Sequence, residues 1–303
     1  MYPIERLRDA IMEDMKLFGR RRRIVDVIVA PPCRACGSVE TEVLDRHAVT
    51  LVPDSVLATS TWPAQRRERI ISVCPVCGLV TDLGHPSISA DDECELAHRL
   101  VEQGTPLGAG ATLVDVVDAG AAWRSSLLDP ATDVVDWFTV GSLARTVRSA
   151  GFGVRAIRVL PEGRIHVEVV PIESTSRDPF PIEEPPDQTL AAIQYHLGRR
   201  TQLVDEHRHH LDRVRSNGGS AVVWGATRSS VALLDALELD DAVEAVLDPD
   251  PAYAGQRLVG SDLPIVGPDH PKVDPSVVLV ADASRREQVA FDLERAGRRV
   301  LVV

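Results

Sequence analysis

The stretches Cys33-Arg34-Ala35-Cys36-Gly37 and Cys74-Pro75-Val76-Cys77-Gly78 decide the fold of the first part of this chain. Each is a CxxC knuckle followed by glycine, which lets the backbone turn closely around a metal ion. The 37 residues between the two pairs exceed the usual spacing of a zinc ribbon. Four thiolates close the coordination shell of zinc, so we predict a structural Zn²⁺ site without a catalytic role. Its predicted ligands are Cys33, Cys36, Cys74 and Cys77.

Length and charge restrict the class of protein and the kinds of partner that this sequence can have. The 303 residues suffice for two or three compact units that fold without disulfides. The formal net charge of −12 opposes nonspecific attraction to nucleic acid, which depends on Lys and Arg. No run of about 18 to 20 apolar residues is present to span a bilayer, and the N-terminus lacks the layout of a signal peptide. We therefore expect a cytoplasmic protein with neither nucleic acid nor membrane as a partner.

Composition and hydrophobic periodicity divide the chain into five segments. They are an N-terminal amphipathic helix (1–23), a zinc-ribbon-like unit (24–83), a modest α/β segment (84–172), a Pro- and Glu-rich linker (173–187) and a C-terminal unit (188–303). In the last unit, strands predicted at Ala221–Trp224, Ala242–Leu247 and Ser276–Ala281 alternate with helices. This alternation is typical of a parallel, Rossmann-like sheet, and the predicted fold class is α/β.

The predicted first helix has an apolar stripe on one face. Its members are Ile4, Leu7, Ile11, Met15 and Phe18. Such a stripe docks against the chain's own second unit, or against another subunit or a partner protein. Arg20 to Arg23 follow directly. We favour solvated arginines beside the helix C-terminus over a phosphate-binding site.

A second candidate site follows the strand Ala221–Trp224. A turn at Gly225 leads into a helix whose N–H groups can hold an anion such as a nucleotide phosphate. Asp248 comes 23 residues after Gly225, where an acidic residue can accept a hydrogen bond from a ribose or sugar hydroxyl. A purely structural turn is the alternative interpretation. The candidate ligand-binding residues are Gly225, Ala226, Thr227, Arg228, Ser229 and Asp248.

A lone cysteine and a pair of histidines are weaker candidates for functional residues. Cys94 has acidic neighbours that oppose a thiolate, so we predict an inert thiol. His207 and His210 share a face of the long helix predicted from Gln188 to Ser216, at the spacing of a metal pair. We predict instead a solvated helix face for them.

These motifs together resemble the zinc-containing, S-adenosylmethionine-dependent C-methyltransferases that add a carbon branch to nucleotide-linked deoxysugars. Cys33 to Ser38 and Cys74 to Val80 follow that family's opening and closing knuckles. The C-terminal resemblance comprises Trp224 to Ala226, Leu233-Leu234, Asp248 to Pro251, Gly255 and Pro264-Ile265. The resemblance covers nearly the whole chain and implies a zinc-binding unit, a methyl-donor unit and a Rossmann-like unit.

Departures from the family pattern lie in the middle unit and beside the C-terminal turn. The glycine-rich methyl-donor loop falls on Asp118 to Ala122, which contains one glycine, and a Tyr-His-Glu-His cluster falls on Ala131 to Val134. Asp133 alone does not supply the matched pKa of an imidazole base. The family's Lys-Gly after the turn falls on Ser229-Ser230, and a later lysine of the family falls on Tyr253. Any phosphate binding inherited from the family is therefore altered.

The leading hypothesis is a non-methylating homologue that binds a nucleotide-sugar-like small ligand, supports a partner enzyme in a biosynthetic pathway, or does both. Structural zinc is expected, whereas the shortened middle unit argues against use of S-adenosylmethionine. The alternative is an active C-methyltransferase with a rearranged site, or an enzyme of different chemistry on a related substrate. The sequence therefore leaves enzymatic activity open.

Overall fold

A computed structural model describes residues 31–52, 56–57, 65–85, 96–125, 135–172, 178–238, 240–270, 275 and 277–303. The predicted N-terminal helix, Arg20 to Arg23, Cys94 and the segment Ala131 to Val134 with Asp133 lie outside the described residues. Among the described helices, none combines the length and the apolar composition that crossing a membrane requires.

The sheet that carries the two knuckles has four antiparallel strands in the order β1-β2-β3-β6. The strands are β1 (Glu42–Leu51), β2 (Gln65–Val73), β3 (Val80–Asp82) and β6 (Asp136–Trp137). β1 and β2 form a long hairpin arm, which explains the unusual distance between the knuckles in the sequence. β6 pairs with β3 but comes from the predicted middle segment, so this sheet crosses the predicted boundary at residue 83.

The second sheet is antiparallel throughout and has the order β4-β5-β8-β7. Its strands are β4 (Thr105–Gly108), β5 (Ala111–Val117), β7 (Phe152–Leu160) and β8 (Arg164–Pro171). Helices α1 (Leu96–Gln103) and α3 (Val140–Ser149) pack on one face, and the short α2 (Ala119–Ser125) follows β5. Three of the knuckle cysteines lie in the same apolar cluster as this face. The predicted zinc-binding and middle segments therefore share one core.

The third sheet is parallel and has five strands in the order β11-β10-β9-β12-β13. They are β9 (Ala221–Trp224), β10 (Val243–Leu247), β11 (Ile265–Val266), β12 (Val277–Leu279) and β13 (Leu301–Val302). Helices α4 (Pro186–Ser216) and α5 (Arg228–Ala236) pack on one face, and α6 (Arg286–Arg295) packs on the other. The α/β prediction with a parallel C-terminal sheet is confirmed.

The 31-residue helix α4 joins the knuckle-bearing sheet to the parallel sheet. Its inward positions alternate at spacings of three and four residues, so one stripe follows the whole helix. The stripe consists of Leu190, Ile193, Leu197, Arg200, Val204, His207, Leu211 and Val214. Its first three members pack on the knuckle-bearing sheet, and its last two pack on the parallel sheet. At about 1.5 Å per residue the helix is roughly 46 Å long, much longer than the strands of the parallel sheet.

The hairpin arm makes a second connection to the C-terminal unit. The buried carboxylate of Asp235 on α5 accepts hydrogen bonds from the N–H and the hydroxyl of Thr50 at 2.5 and 2.9 Å. Arg66 donates to the same carboxylate at 3.0 Å. Farther along the chain, the N–H of Val259 donates to the carbonyl of Val56 at 2.9 Å. The parallel sheet is thus held by the arm as well as by α4.

Residues 178–185 fall in the predicted linker, yet they are anchored on α3. Glu183 forms a bidentate ion pair with Arg148, with both N···O distances at 2.6 Å. The carboxylate of Glu184 accepts the N–H of Gly141 at 2.9 Å and contacts Thr139, the N-cap residue of α3. A carboxylate at this position stabilises a helix N-terminus. These contacts fix the start of α4 relative to α3.

Replacing Ile193 with alanine should lower the free energy of unfolding by about 2–5 kcal/mol, because this buried side chain packs α4 on the knuckle-bearing sheet. Tyr195→Ala is the matched control, since Tyr195 is 72% exposed on the same helix. We expect the control to change stability by no more than about 0.5 kcal/mol. Chemical denaturation measures both, and equal effects would contradict the packing described for α4.

Candidate metal centre and ligand crevice

The two knuckles fold in the same way although they are far apart in the sequence. In the first, the N–H of Gly37 donates to the carbonyl of Cys33 at 2.8 Å. In the second, Gly78 donates to Cys74 at the same distance. Both glycines have positive φ angles, 71° and 76°, which side chains other than glycine rarely adopt. Each turn therefore brings its two sulfur atoms to a common centre.

The four knuckle sulfur atoms form one cluster. All pairs lie within 4.8 Å, with Cys33 and Cys77 separated by 3.5 Å and Cys36 and Cys74 by 3.6 Å. A tetrahedral zinc site with Zn–S bonds of about 2.3 Å has S···S distances of roughly 3.8 Å, so this donor set fits such an ion. Across the described part of the chain, no other group of three or more His, Cys, Asp or Glu side chains has metal-ligand spacing.

Thiols packed this closely compete for ionisation. The hydrogen bond with Cys74 and the burial of the group raise the pKa of Cys33. Hydrogen bonds with Cys33 and Cys74 raise the pKa of Cys77, whereas those with Cys33 and Cys77 lower the pKa of Cys74. One thiolate is therefore stabilised by protonated partners. A divalent cation would stabilise all four thiolates at once, which couples metal binding to folding.

Residues of the middle segment hold the knuckles in place. Arg145 on α3 donates from Nε to the carbonyl of Cys77 at 2.8 Å, and Ser149 donates to the carbonyl of Ala35 at 2.9 Å. On the first knuckle, Arg34 forms an ion pair of 2.8 Å with Asp136 of β6. Such outer contacts orient metal ligands. The spacing of the cysteines gives no signal for them, because their partners are far away in the sequence.

Purified protein should contain about one zinc ion per chain, and Cys77→Ser should lower both the metal content and the melting temperature, because binding stabilises the folded knuckles. Cys94→Ser is the control, since Cys94 belongs to neither knuckle. Metal analysis and thermal unfolding with and without a chelator measure these effects. A melting temperature that a chelator leaves unchanged would contradict a structural metal.

The strand order of the parallel sheet places a topological switch point, the expected ligand crevice of such sheets, at the carboxyl ends of β9 and β12. β10 and β11 lie on one side of β9, whereas β12 and β13 lie on the other. Ligands of open parallel sheets bind where the strand order reverses in this way. Gly225 and Ala226 follow β9 at this edge, and Val280 to Asp282 follow β12. Sequence reasoning missed Asp282, although an acidic residue directly after an apolar strand is a usable signal.

The predicted anion-binding turn uses much of its own hydrogen-bonding capacity. Gly225, with φ 85°, donates to the carbonyl of Leu247 at 2.7 Å, and Thr227 donates to Gly225 at 3.0 Å. Ala226 donates to Oδ2 of Asp248 at 2.6 Å. The other oxygen of this buried carboxylate accepts a second backbone N–H at 2.8 Å. Asp248 therefore braces the turn, and its charge opposes a phosphate at the Ala226 amide.

The other predicted ligand-binding residues lie at the start of α5. Thr227 is the N-cap, and its hydroxyl oxygen accepts the N–H of Ser230 at 3.2 Å. Arg228 is exposed and Ser229 is half-buried in the first turn. The structure thus brings Gly225, Ala226, Thr227 and Asp248 into contact and places Arg228 and Ser229 on the adjacent helix.

One of the α4 histidines predicted to lie on a solvated face is buried. His209 is exposed and His210 is half-buried, but His207 is fully buried. The prediction is wrong for His207 because this residue occupies an inward position of the α4 stripe. Burial and the nearby charge of Arg286 lower the pKa of His207 to about 4, and the Val280 backbone acts in the opposite direction.

Stability should decrease between about pH 6.5 and pH 4 through His207. A histidine of the unfolded chain has a pKa near 6.5, so in this window the unfolded chain binds the additional proton and the folded protein is disfavoured. At about 1.4 kcal/mol per pKa unit, the loss at pH 4 is roughly 3 kcal/mol. His207→Gln should remove this part of the pH dependence in denaturation experiments, and His209→Gln should retain it. Identical pH dependence of wild type and His207→Gln would contradict the assignment.

Comparison with known protein families concerns the C-terminal unit. Residues 189–296 match the family model of the C-methyltransferase C-terminal domain. The matched region contains most of α4, strands β9 to β12 and α6, which is about a third of the chain. No curated protein matches the chain. The C-terminal unit is therefore similar to the C-terminal domain of C-methyltransferases.

Proposed function

We propose that this chain is a non-methylating relative of the C-methyltransferases that binds a nucleotide-sugar-like small ligand in the crevice at β9 and β12. The family match of residues 189–296 supports the relationship. The observation that carries the loss of methyl transfer is the strand arrangement of the middle segment, where the family resemblance implies a methyl-donor site.

A Rossmann-type donor site requires a parallel strand whose carboxyl end leads through a glycine-rich turn into a helix. In the described part of the middle segment, β5 leads into α2, but β5 pairs antiparallel with both β4 and β8. At the turn, the carboxylate of Asp118 accepts the N–H of Gly120 at 3.0 Å. A carboxylate bound to this amide is a poor setting for a methyl-donor loop. Both features support a relative that has lost methyl transfer.

The crevice has the chemistry for a hydroxyl-rich ligand. Asp248 and Asp282 place carboxylates at the ends of β10 and β12, on the edge where open parallel sheets bind ligands. Carboxylates in this position accept hydrogen bonds from ribose or sugar hydroxyl groups. Arg228, exposed at the start of α5, adds a cation beside them. This combination supports a sugar-containing, negatively charged ligand.

The knuckles would hold zinc through Cys33, Cys36, Cys74 and Cys77, and zinc bound by four thiolates supplies stability rather than catalysis. Reduced thiols are needed for this binding, which supports a reducing compartment such as the cytoplasm. A partner enzyme or a second copy of the chain is the proposed partner of the amphipathic segment 1–23.

The second candidate function is an active C-methyltransferase with a rearranged site, and the match to the C-methyltransferase C-terminal domain favours it. Calorimetric titration with S-adenosylmethionine separates the two candidates. We expect no binding, because β5 and Asp118 do not form a donor site. Tight binding together with methyl transfer would overturn the proposal.

Nucleotide sugars should raise the melting temperature of the wild type, since ligands that bind the folded state stabilise it. Asp248→Asn should diminish this shift because it removes the charge of the hydroxyl acceptor. Asp250→Asn is the matched control two residues away, where the side chain is exposed and accepts the N–H of Ala252. If neither UDP-sugars nor dTDP-sugars shift the melting temperature, the nucleotide-sugar ligand is excluded.

A further inference from the structure

A cluster of charged side chains lies between the hairpin arm and α4, outside the metal centre and the Gly225 turn. Asp45 and His47 are on β1, and Arg69 lies directly opposite His47 on β2. Arg200 approaches from α4, with Nη1 at 3.5 Å from Oδ2 of Asp45. The same carboxylate oxygen lies 2.8 Å from Nδ1 of His47. Four residues from three elements thus converge at one place.

Positive charge exceeds negative charge among the described members of this cluster. Asp82 is fully buried and is bound by Arg67 at 2.6 Å and by Arg69 at 3.3 Å. Among the residues that the structure describes, Asp45 is then the carboxylate that faces Arg200 and His47. The side chain of Arg200 is only 14% exposed. A cation held away from water is stabilised by a compensating anion, so the cluster suits an anionic ligand.

Arg200 also has hydrogen-bonding capacity to spare. Its Nε is buried and has no hydrogen-bond partner among the described residues. Burial lowers the pKa of Arg200, and burial together with the charges of Arg200 and Arg69 lowers the pKa of His47. An anion between these groups would offset the repulsion and would satisfy the Nε donor.

The cluster lies beside the crevice of the proposed function. Leu203 and Val204 of α4 belong to the same apolar cluster as Ala226, which follows β9 at the crevice. Arg200 precedes them by about one helical turn, or roughly 5 Å along the axis. α4 passes the carboxyl end of β12 at His207, which contacts the backbone of Val280, so Arg200, seven residues earlier, lies on the side of that edge where a ligand would bind. A ligand in the crevice therefore has the cluster within reach.

The charges inside the crevice favour a phosphate group near Arg200 rather than at the Ala226 amide. The carboxylate of Asp248 occupies the Ala226 amide, where a phosphate would otherwise bind at a turn of this type. A ligand that carries both hydroxyl groups and phosphate is best accommodated with its hydroxyl groups near Asp248. Its phosphates are then best placed near the guanidinium of Arg200.

We propose that Arg200 and His47 form a phosphoryl-binding subsite that holds the diphosphate of the crevice ligand. This inference rests on the proposed function and adds the site of its anionic group. A guanidinium binds phosphate oxygens through paired, charge-assisted hydrogen bonds. Oδ2 of Asp45 lies 2.8 Å from Nδ1 of His47, so Nε2 is the ring nitrogen farther from that carboxylate.

Calorimetric titration of the zinc-loaded full chain with inorganic pyrophosphate tests the subsite. Arg200→Gln should weaken binding at least about tenfold, the usual effect of losing a charge-assisted hydrogen bond. Arg199→Gln should leave binding unchanged, because Arg199 is exposed on the same helix and donates to Gln202. Absence of pyrophosphate binding to the wild type, or equal weakening by both substitutions, would overturn the proposal.

A second measurement uses the wild type and covers the case that Arg200→Gln does not fold. Pyrophosphate should raise the pKa of His47 in an NMR titration and leave the exposed His209 unchanged. No change at His47 would overturn the subsite. Parallel titrations with UDP separate the two proposals: binding of UDP that is independent of Arg200 refutes the subsite alone. Binding of pyrophosphate through Arg200 without binding of UDP supports the subsite and refutes the nucleotide ligand.

Discussion

Burial of one stripe of α4 against two different sheets is the constraint on which the rest of the structure depends. Ile193 is buried by the knuckle-bearing sheet, and Leu211 is buried by the parallel sheet. Neither sheet is long enough to cover a helix of roughly 46 Å alone. The helix is therefore stable over its full length only while both sheets are in place, and it fixes the cysteine cluster relative to the carboxyl edge of the parallel sheet.

Two polar positions of the α4 stripe lie where the helix passes from one sheet to the other. Arg200 meets the charged groups of β1, and His207 is enclosed near the end of β12. Apolar residues at both positions would give a more uniform core, since buried polar groups stabilise a fold only when they are well paired. The phosphoryl-binding subsite proposed above accounts for the presence of Arg200 in this stripe.

The metal centre and the hairpin arm depend on each other. Cys36 precedes β1 and Cys74 follows β2, so an ion bound by both knuckles would close the base of the arm. Closing a loop of this length restricts the unfolded chain and stabilises the folded one. The tip of the arm is held by Asp235 through Thr50. The arm thus connects the cysteine cluster to the C-terminal unit.

Local patterns in the sequence predicted much of this fold, whereas distant pairings could not be predicted. The knuckles and the strand Ala221–Trp224 depend on a few neighbouring residues, and both are formed where the sequence places them. The contact between Thr50 and Asp235 joins residues 185 positions apart, and no periodicity encodes it. The polar neighbours of His207 predict a solvated position. Its burial depends instead on the packing of α4 against the parallel sheet, which the local sequence does not encode.

The pairing of β3 with β6 has a consequence for how the protein is made. β3 ends at Asp82, but its partner strand is Asp136–Trp137, so a nascent chain that has just completed both knuckles still has an open sheet edge. Such edges pair readily with other chains. A fragment that stops soon after the second knuckle would keep that edge permanently, so a shorter chain for expression of the knuckle-bearing sheet is best ended after α3 rather than before it.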